Sequence, residues 1–536
     1  MDSQQFREAA HAAVEEIIQY YETLPSRRVV SSVSPGYLAP QLPTSAPSES
    51  QPWTSIQPDI EKLIMPGLTH WQHPGFMAFF PSNTTYPSML GELYSAAFSA
   101  PAFNWLCSPA VTELETVMMD WVGQMVGLPD VFLSKGQGGG VIQGSASEAI
   151  VCAMVAARER IVARKCEQEG LKGGTRERER REGLIRAELV ALGSDQAHSS
   201  TQKGAIVAGT CFRTVATKKE DDFAMRGASL KQTIEDCRRE GLEPYYLTTT
   251  LGTTSTCAVD IFDEIAEVCK EYPDIWVHVD AAYAGSALIC EEYQHYSKSF
   301  AQFDSFDFNL HKWLLTNFDA SCLYVRSRAD LTAALSITPS YLRNAFSDSG
   351  LVTDYRDWQI PLGRRFRSLK IWFVLRSYGI QRLQAVVRGH IKLGETFADL
   401  IRSRGDLFEI FTTPVFALTV FTVRPPMAQR SRDTKAIASP ADRPDPTHED
   451  YTNDFTPDAQ AQYLFNANRI TKDVYETVNN EGEVFLTSSM VKGTYVIRVV
   501  SASERSNEEW IRKAFDILVR TTELVFQREN KVQPQL

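Results

Sequence analysis

The sequence has no uninterrupted apolar run near the ~20 residues that a membrane-crossing helix needs, so a spanning protein is excluded. It also has no basic excess. Its 55 Lys and Arg stand against 66 Asp and Glu, a formal net charge of −11, which argues against a dedicated nucleic-acid binder that would displace counterions with a basic face. There is no CxxC pair, and nine cysteines are an odd number, which suits a reducing compartment better than a disulfide framework. The first residues (MDSQQFREAAHAAVEEI) lack the charged-then-apolar order of a secretion signal, and the final VQPQL is not a lipidation box. The expectation is a cytoplasmic protein with no membrane or nucleic-acid partner and no metal. No internal repeat is visible. What is present is core-forming material: 43% hydrophobic and 10% aromatic residues over 536 positions, enough for two or more domains.

Apolar residues at Phe6, Ala10, Ala13, Val14, Ile17, Ile18, Tyr21 and Leu24 follow helical spacing and predict an amphipathic helix in search of a surface. A Pro/Ser-rich stretch from Val33 to Pro52 reads as an extended arm, and a short helical pattern at Ile60 to Ile64 ends at Pro66-Gly67. Residues 1–84 are therefore expected to form a helical arm that wraps a second subunit or packs on its own domain. From about 85 to 380 helical patterns (Val111 to Val126, Ser147 to Ala163, Asp260 to Glu271) alternate with strand-like runs (Ala205 to Ala208, Tyr245 to Thr250, Ile275 to Val279). That alternation predicts an α/β domain with a mainly parallel sheet and flanking helices. The charge run from Arg158 to Arg186 reads as a solvated helix-loop insertion. Residues 381–536 read as a small α+β domain, in which the Pro/Asp-rich stretch 425–458 is a surface insertion.

Three segments carry chemistry. Gln143-Gly144-Ser145-Ala146-Ser147-Glu148-Ala149 opens an apolar helix, where small residues and free N–H groups suit either a phosphate or an ordinary N-cap. His278-Val279-Asp280-Ala281-Ala282 ends a buried strand in a carboxylate, which is either a turn cap or the partner of a cofactor's ring nitrogen, as pyridoxal phosphate requires. Asn309-Leu310-His311-Lys312-Trp313 sets a lysine at the end of an apolar run. Such a lysine either snorkels to water or, when buried, loses its proton and becomes an imine-forming amine.

With these segments the chain resembles the group II pyridoxal-phosphate decarboxylases, most closely the aromatic L-amino-acid decarboxylases. The likeness extends from about Val33 to Val500 and includes PGYL (35–38), DIEKLIMPGLTHWQHPGF (59–76), GGGVIQGSASEA (138–149), SDQAHSS (194–200), TLGTTSTCAVD (250–260), HVDAAYAGSA (278–287), FNLHKWLLTNFD (308–319) and WQIPLGRRFRSLKIWFVLRSYG (358–379). It implies a fold-type I architecture with a seven-stranded-type sheet and pyridoxal 5'-phosphate as cofactor. It also implies a homodimer with shared active sites, and decarboxylation of aromatic L-amino acids to arylalkylamines.

The resemblance assigns residues as well. Lys312 would bind the cofactor covalently, Asp280 would pair with its ring nitrogen, and His198 and Ala282 would cover the two ring faces. Ala146, Ser147, Asn309 and His311 would seat the phosphate, with Thr254 beside the ring substituents. Tyr341, in a segment like the family's mobile loop, would supply a proton to the α-carbon. Trp71, Phe79, Phe80, Pro81 and Phe103 would line the side-chain pocket, and Gly363 matches a position that is Gly in plant relatives favouring indoles and Ser in those favouring phenols. Leu310 replaces a small residue or Pro, Phe79 replaces a frequent Tyr, and the 425–458 insertion is long; the first two bear on substrate preference. The rivals are an aromatic acetaldehyde synthase, which has Phe in place of the loop Tyr, an aminotransferase with Arg498 as carboxylate clamp, and a silent cofactor-binding scaffold.

Overall fold

The computed structural model describes residues 1–337, 345–348, 352–426 and 457–532. They fall into two compact units, Ser82–Ile391 and Met1–Pro81 together with Lys392–Leu536.

The first of these units is built on seven strands: β1 (Gly139–Gln143), β2 (Leu189–Ser194), β3 (Cys211–Val215), β4 (Glu243–Thr250), β5 (Trp276–Asp280), β6 (Ser305–Asn309) and β7 (Ser321–Val325). Their order in the sheet is β1-β7-β6-β5-β4-β2-β3. Only β7 is antiparallel to its neighbours, so the other six all run one way and end on the same edge. The inner strands are buried on both faces, whereas β3 at the edge is largely exposed. Helices flank the sheet, and Pro109–Met125, Ala146–Gln168 and Phe262–Glu271 occupy the three stretches where helical periodicity predicts them.

The strand expected at Ala205 to Ala208 is instead the end of a helix, Ser199–Ala208. Its buried residues Thr201, Gly204, Ala205 and Ala208 have helical spacing that a four-residue window cannot reveal, and Ile206 and Val207 are the exposed side of that helix. The charged run forms the end of one helix and a second one, Arg176–Glu188, joined by ion pairs Arg181–Glu169 and Arg186–Glu159, with Arg178–Glu182 pairing within the second.

The other unit contains an antiparallel sheet of β8 (Phe408–Ile410), β9 (Leu418–Val423), β10 (Thr487–Val491) and β11 (Thr494–Val500) in the order β10-β11-β9-β8. Helices Pro457–Glu481 and Glu508–Val532 cover it through Ile470, Val474, Ile511 and Leu518. The chain enters through helix Arg367–Ser403, which breaks at Gly379, where φ is +68°. Part of the N-terminal stretch is built into this unit: Val29 N–H donates to the Gly482 carbonyl, Met77 N–H to Phe485, and Val500 N–H to Met77. Helix Ser3–Thr23 starts in a capping box between Asp2 and Gln5. It leaves Phe6, Val14 and Ile17 exposed and buries Tyr21. Most of the 425–458 insertion, residues 427–456, lies outside the described residues.

Candidate active site

Because β1, β2, β4, β5 and β6 are parallel, the segments that follow them all leave from one edge, the edge at which open α/β sheets bind ligands. After β1 the chain turns at Gly144-Ser145 into helix Ala146–Gln168. The Ser145 hydroxyl accepts from Glu148 N–H at 3.2 Å, and Glu148 Oε2 accepts from Gly144 N–H at 3.0 Å. A Cβ on Gly144 would lie 3.0 Å from Glu148 Oε2 and 3.2 Å from Asp319 Oδ2, so a side chain here would press on both carboxylates. Asp319 is held by Arg367 at 2.9 Å. The N–H groups of Ala146 and Ser147 meet no acceptor among the described residues and point out of the helix start, as an anion requires.

After β2 comes His198, which caps helix Ser199–Ala208 through Nδ1, 3.2 Å from Ser200 N. After β4 comes the loop bearing Thr254. Asp260 pins this loop, accepting from Thr250 N–H at 2.7 Å, Met225 N–H at 2.8 Å and Thr249 Oγ1 at 3.2 Å. After β5, Asp280 Oδ1 accepts from Ala282 N–H at 3.0 Å. After β6, the short helix Leu310–Trp313 carries His311 and Lys312, and Trp313 is locked by stacking on Tyr283 and by donating to His390 at 3.0 Å.

Lys312, Asp280 and His198 lie within mutual electrostatic reach. Burial pushes the Lys312 ammonium below the ordinary lysine value, while the carboxylates of Asp280 and Asp307 pull the other way. The lysine is thus a buried amine beside two acids, the setting an imine-forming nucleophile needs. Desolvation likewise lowers His198, with Asp280 opposing and Lys312 adding. Burial drives His311 down to about 3, so its ring is neutral. Since Nδ1 accepts from Ala320 N–H at 2.9 Å, the ring proton is on Nε2 and can be donated.

Gln143 Oε1, Asn309 Oδ1 and Ser321 Oγ are buried without hydrogen-bond partners, and they are register neighbours across β1, β7 and β6. Of these three atoms only the Ser321 hydroxyl can donate; together with the N–H groups of Ala146 and Ser147 and a donating His311 it fits a phosphate, while the buried lysine and Asp280 fit the aldehyde and ring nitrogen of pyridoxal phosphate.

The remaining expected residues are distributed between the units. Trp71 stacks on Phe79 at 5.6 Å and 15°, the Arg498 guanidinium lies over Phe80 at 5.3 Å, and Pro81 is buried, all in the unit containing the termini. Phe103 and Gly363 belong to the seven-stranded unit, and Gly363 is exposed. Tyr341 lies outside the described residues. Three residues that sequence reasoning missed also bear on the site. Asn83 holds the Lys312 backbone, and His278 and Asp307 form a buried pair next to Asp280.

The description "pyridoxal-dependent decarboxylase conserved domain" matches residues 35–424. Tyrosine/DOPA decarboxylase 2 of Papaver somniferum is 41% identical over 528 residues, 98% of this chain and 94% of that one. The aromatic-L-amino-acid decarboxylase of Bos taurus is 46% identical over 426 residues, 79% of this chain and 85% of its own. A solved structure of Oryza sativa TDC with PLP and tryptamine superposes with a TM-score of 0.85 at 35% identity, covering 98% of this chain and 99% of that one.

Proposed function

The chain belongs to the pyridoxal-dependent decarboxylase family and is an aromatic-L-amino-acid decarboxylase, and from that premise we propose how its residues divide the work and which substrates they favour. The observation that carries the assignment is the convergence of Lys312, Asp280 and His198 at one sheet edge within electrostatic reach of each other. When bound, pyridoxal phosphate would supply an electron-withdrawing ring able to accept the electron pair that loss of carbon dioxide leaves behind. Lys312 would anchor it through its Nζ, whose hold on its proton is weakened by burial. Asp280 would hold a proton at the ring nitrogen, His198 and Ala282 would cover the ring, and Thr254 would lie beside its substituents. Ala146, Ser147, Asn309 and His311 bind the phosphate by donating to its oxygens. Trp71, Phe79, Phe80, Pro81 and Phe103 orient the aromatic side chain. The Tyr341 hydroxyl would deliver a proton to the substrate α-carbon.

The working form is a homodimer with shared sites. Helix Tyr86–Phe98 exposes Tyr86, Leu90, Leu93, Tyr94 and Phe98 along one face, and helix Ser3–Thr23 exposes Phe6, Val14 and Ile17. Stripes of that size call for a partner surface, and a second copy of the chain supplies it. No described helix is long and apolar enough to cross a membrane; the enzyme acts in the cytoplasm. Tryptophan is decarboxylated at least as efficiently as tyrosine, giving tryptamine.

The test is a product assay on tryptophan, tyrosine, phenylalanine, dopa and 5-hydroxytryptophan, scoring amine, aldehyde and peroxide together. Amine and carbon dioxide in equal amounts, with no peroxide, is the expected result. Stoichiometric aldehyde and peroxide would make the protein an acetaldehyde synthase instead.

A further inference from the structure

The pairing of β5 with β6 sets Asp280 opposite Asp307 and His278 opposite Ser305. Alternation along a strand then places Trp276, His278 and Asp280 on the same face as Ser305, Asp307 and Asn309. On that face a chain of hydrogen bonds runs from Trp276 Nε1 to Ser305 Oγ at 2.7 Å, from Ser305 Oγ to His278 Nδ1 at 2.8 Å, and from His278 Nε2 to Asp307 Oδ1 at 3.0 Å. All four residues are fully buried.

The direction of the chain follows from its two ends. Indole N–H can only donate, so Ser305 Oγ accepts from it; with Asp307 ionised and a neutral imidazole, Nε2 donates to the carboxylate and Nδ1 is left to accept from the Ser305 hydroxyl. Every link points at the Asp307 carboxylate, whose second oxygen, Oδ2, is buried with no hydrogen-bond partner.

We propose that His278 and Asp307 are positioning residues of the decarboxylase: a buried proton wire whose terminal carboxylate adds or removes a negative charge beside Asp280, and so sets how firmly the cofactor bound at Lys312 keeps its protons. This rests on the assignment of Lys312 and Asp280 to pyridoxal phosphate.

The groups that face Asp307 are His278 and Asp280 from β5, Lys312 from the helix after β6, Tyr246 from β4 and Cys322 from β7. Tyr246 stacks on His278 at 6.1 Å, and burial raises both it and Cys322 far above their ordinary values, so both stay neutral. Burial, reinforced by Asp280, lifts Asp307 to about 6 against the opposing pull of His278 and Lys312. Asp307 is therefore a carboxyl whose charge changes within the working pH range, and sequence distance gives no hint of it.

The experiment is a pH titration of the visible absorption band of the cofactor-loaded protein, without substrate, in wild type and in Asp307→Asn and Ser305→Ala. Removing the charge takes support from the protonated form, so the midpoint in Asp307→Asn falls by about one pH unit. Ser305→Ala weakens the wire without deleting the acid, so its midpoint moves the same way by less. If Asp307→Asn does not fold, Ser305→Ala and Trp276→Phe decide the matter. Folded variants whose midpoints equal the wild type, with or without a lower melting temperature, would leave the wire a purely structural feature and overturn the inference. A wild-type protein that never forms the band would overturn the assignment of Lys312, and the inference with it; the two failures are told apart by whether wild type absorbs.

Discussion

Asn83 grips the lysine turn from outside: its Nδ2 donates to the Lys312 carbonyl at 2.6 Å, and its own N–H donates to the His311 carbonyl at 3.0 Å. Thr85 Oγ1 continues the clamp at the Leu315 carbonyl, 2.9 Å away. The turn Leu310–Trp313 is too short to hold itself, so its position is borrowed from these contacts. Asn83→Ala leaves a largely buried carbonyl without its donor, a cost of about 1–3 kcal/mol. The expected outcome is a kcat lowered about tenfold with a smaller change in KM, since a displaced lysine harms the reacting geometry more than substrate capture. Steady-state kinetics on the folded, cofactor-loaded variant checks this; an unchanged kcat would show that the turn is held without the Asn83 side chain.

Asp260 gives the fold a pH dependence whose sign can be worked out. Burial raises its carboxyl from 3.8 to about 7, against hydrogen bonds from Met225, Thr250 and Thr249 that favour the charged form. A folded-state value above the unfolded one means that the contribution to stability is complete below about pH 4 and is lost as pH rises through about 7. Between pH 5 and 8 the loss is about 2–3 kcal/mol. Asp260→Asn cannot ionise, so denaturant unfolding at several pH values should give a shallower decline in the variant. A wild type equally stable at pH 5 and pH 8 would refute it.

Lys312 and Asp280 were legible in the sequence because residue type, a strand-end position and small neighbours coincide within a few residues. Helical periods at Val111 to Val126 and Ser147 to Ala163 were legible for the same reason, being local and repeated. Ala205 to Ala208 misled because two β-branched residues at an exposed helix end imitate a strand when the window is short. Asn83 and the wire from Trp276 to Asp307 depend on strand register and on contacts between residues 27 to 229 positions apart, which no local pattern encodes. An acid set between two aromatic residues, as in Phe306-Asp307-Phe308, was the available signal.

Shared sites make a prediction that a self-contained subunit would not satisfy. On the proposed roles Lys312→Ala lacks the anchoring amine and Tyr341→Phe lacks the proton donor, so each alone should form little amine. Mixing the two under conditions that exchange subunits should restore part of the activity, because half of the sites in a mixed dimer carry both Lys312 and Tyr341. No recovery from demonstrably mixed dimers, or a fully active monomer by sedimentation, would contradict the sharing.

Gly363 tests substrate choice. It is exposed, and a Cβ built on it meets nothing within 4 Å, so Gly363→Ser should fold with an unchanged melting temperature. Its place is nonetheless fixed, because the next residue, Arg364, is buried in a two-pronged pair with Glu115 at 2.7 and 2.6 Å and donates to Gln359 at 2.9 Å. A substitution here therefore acts on whatever the substrate, and in the proposed homodimer a second copy of the chain, place against it. A bare glycine leaves room for a bicyclic ring, whereas a hydroxymethyl group narrows the space and offers a hydrogen bond to a phenol. One such group is worth about 1–3 kcal/mol, enough to reorder substrates without excluding any. Gly363→Ser should shift the kcat/KM ratio about tenfold from tryptophan toward tyrosine. An unchanged ratio, or a wild type that turns over tyrosine and dopa while ignoring tryptophan, would move the choice of substrate to Phe79 or Leu310.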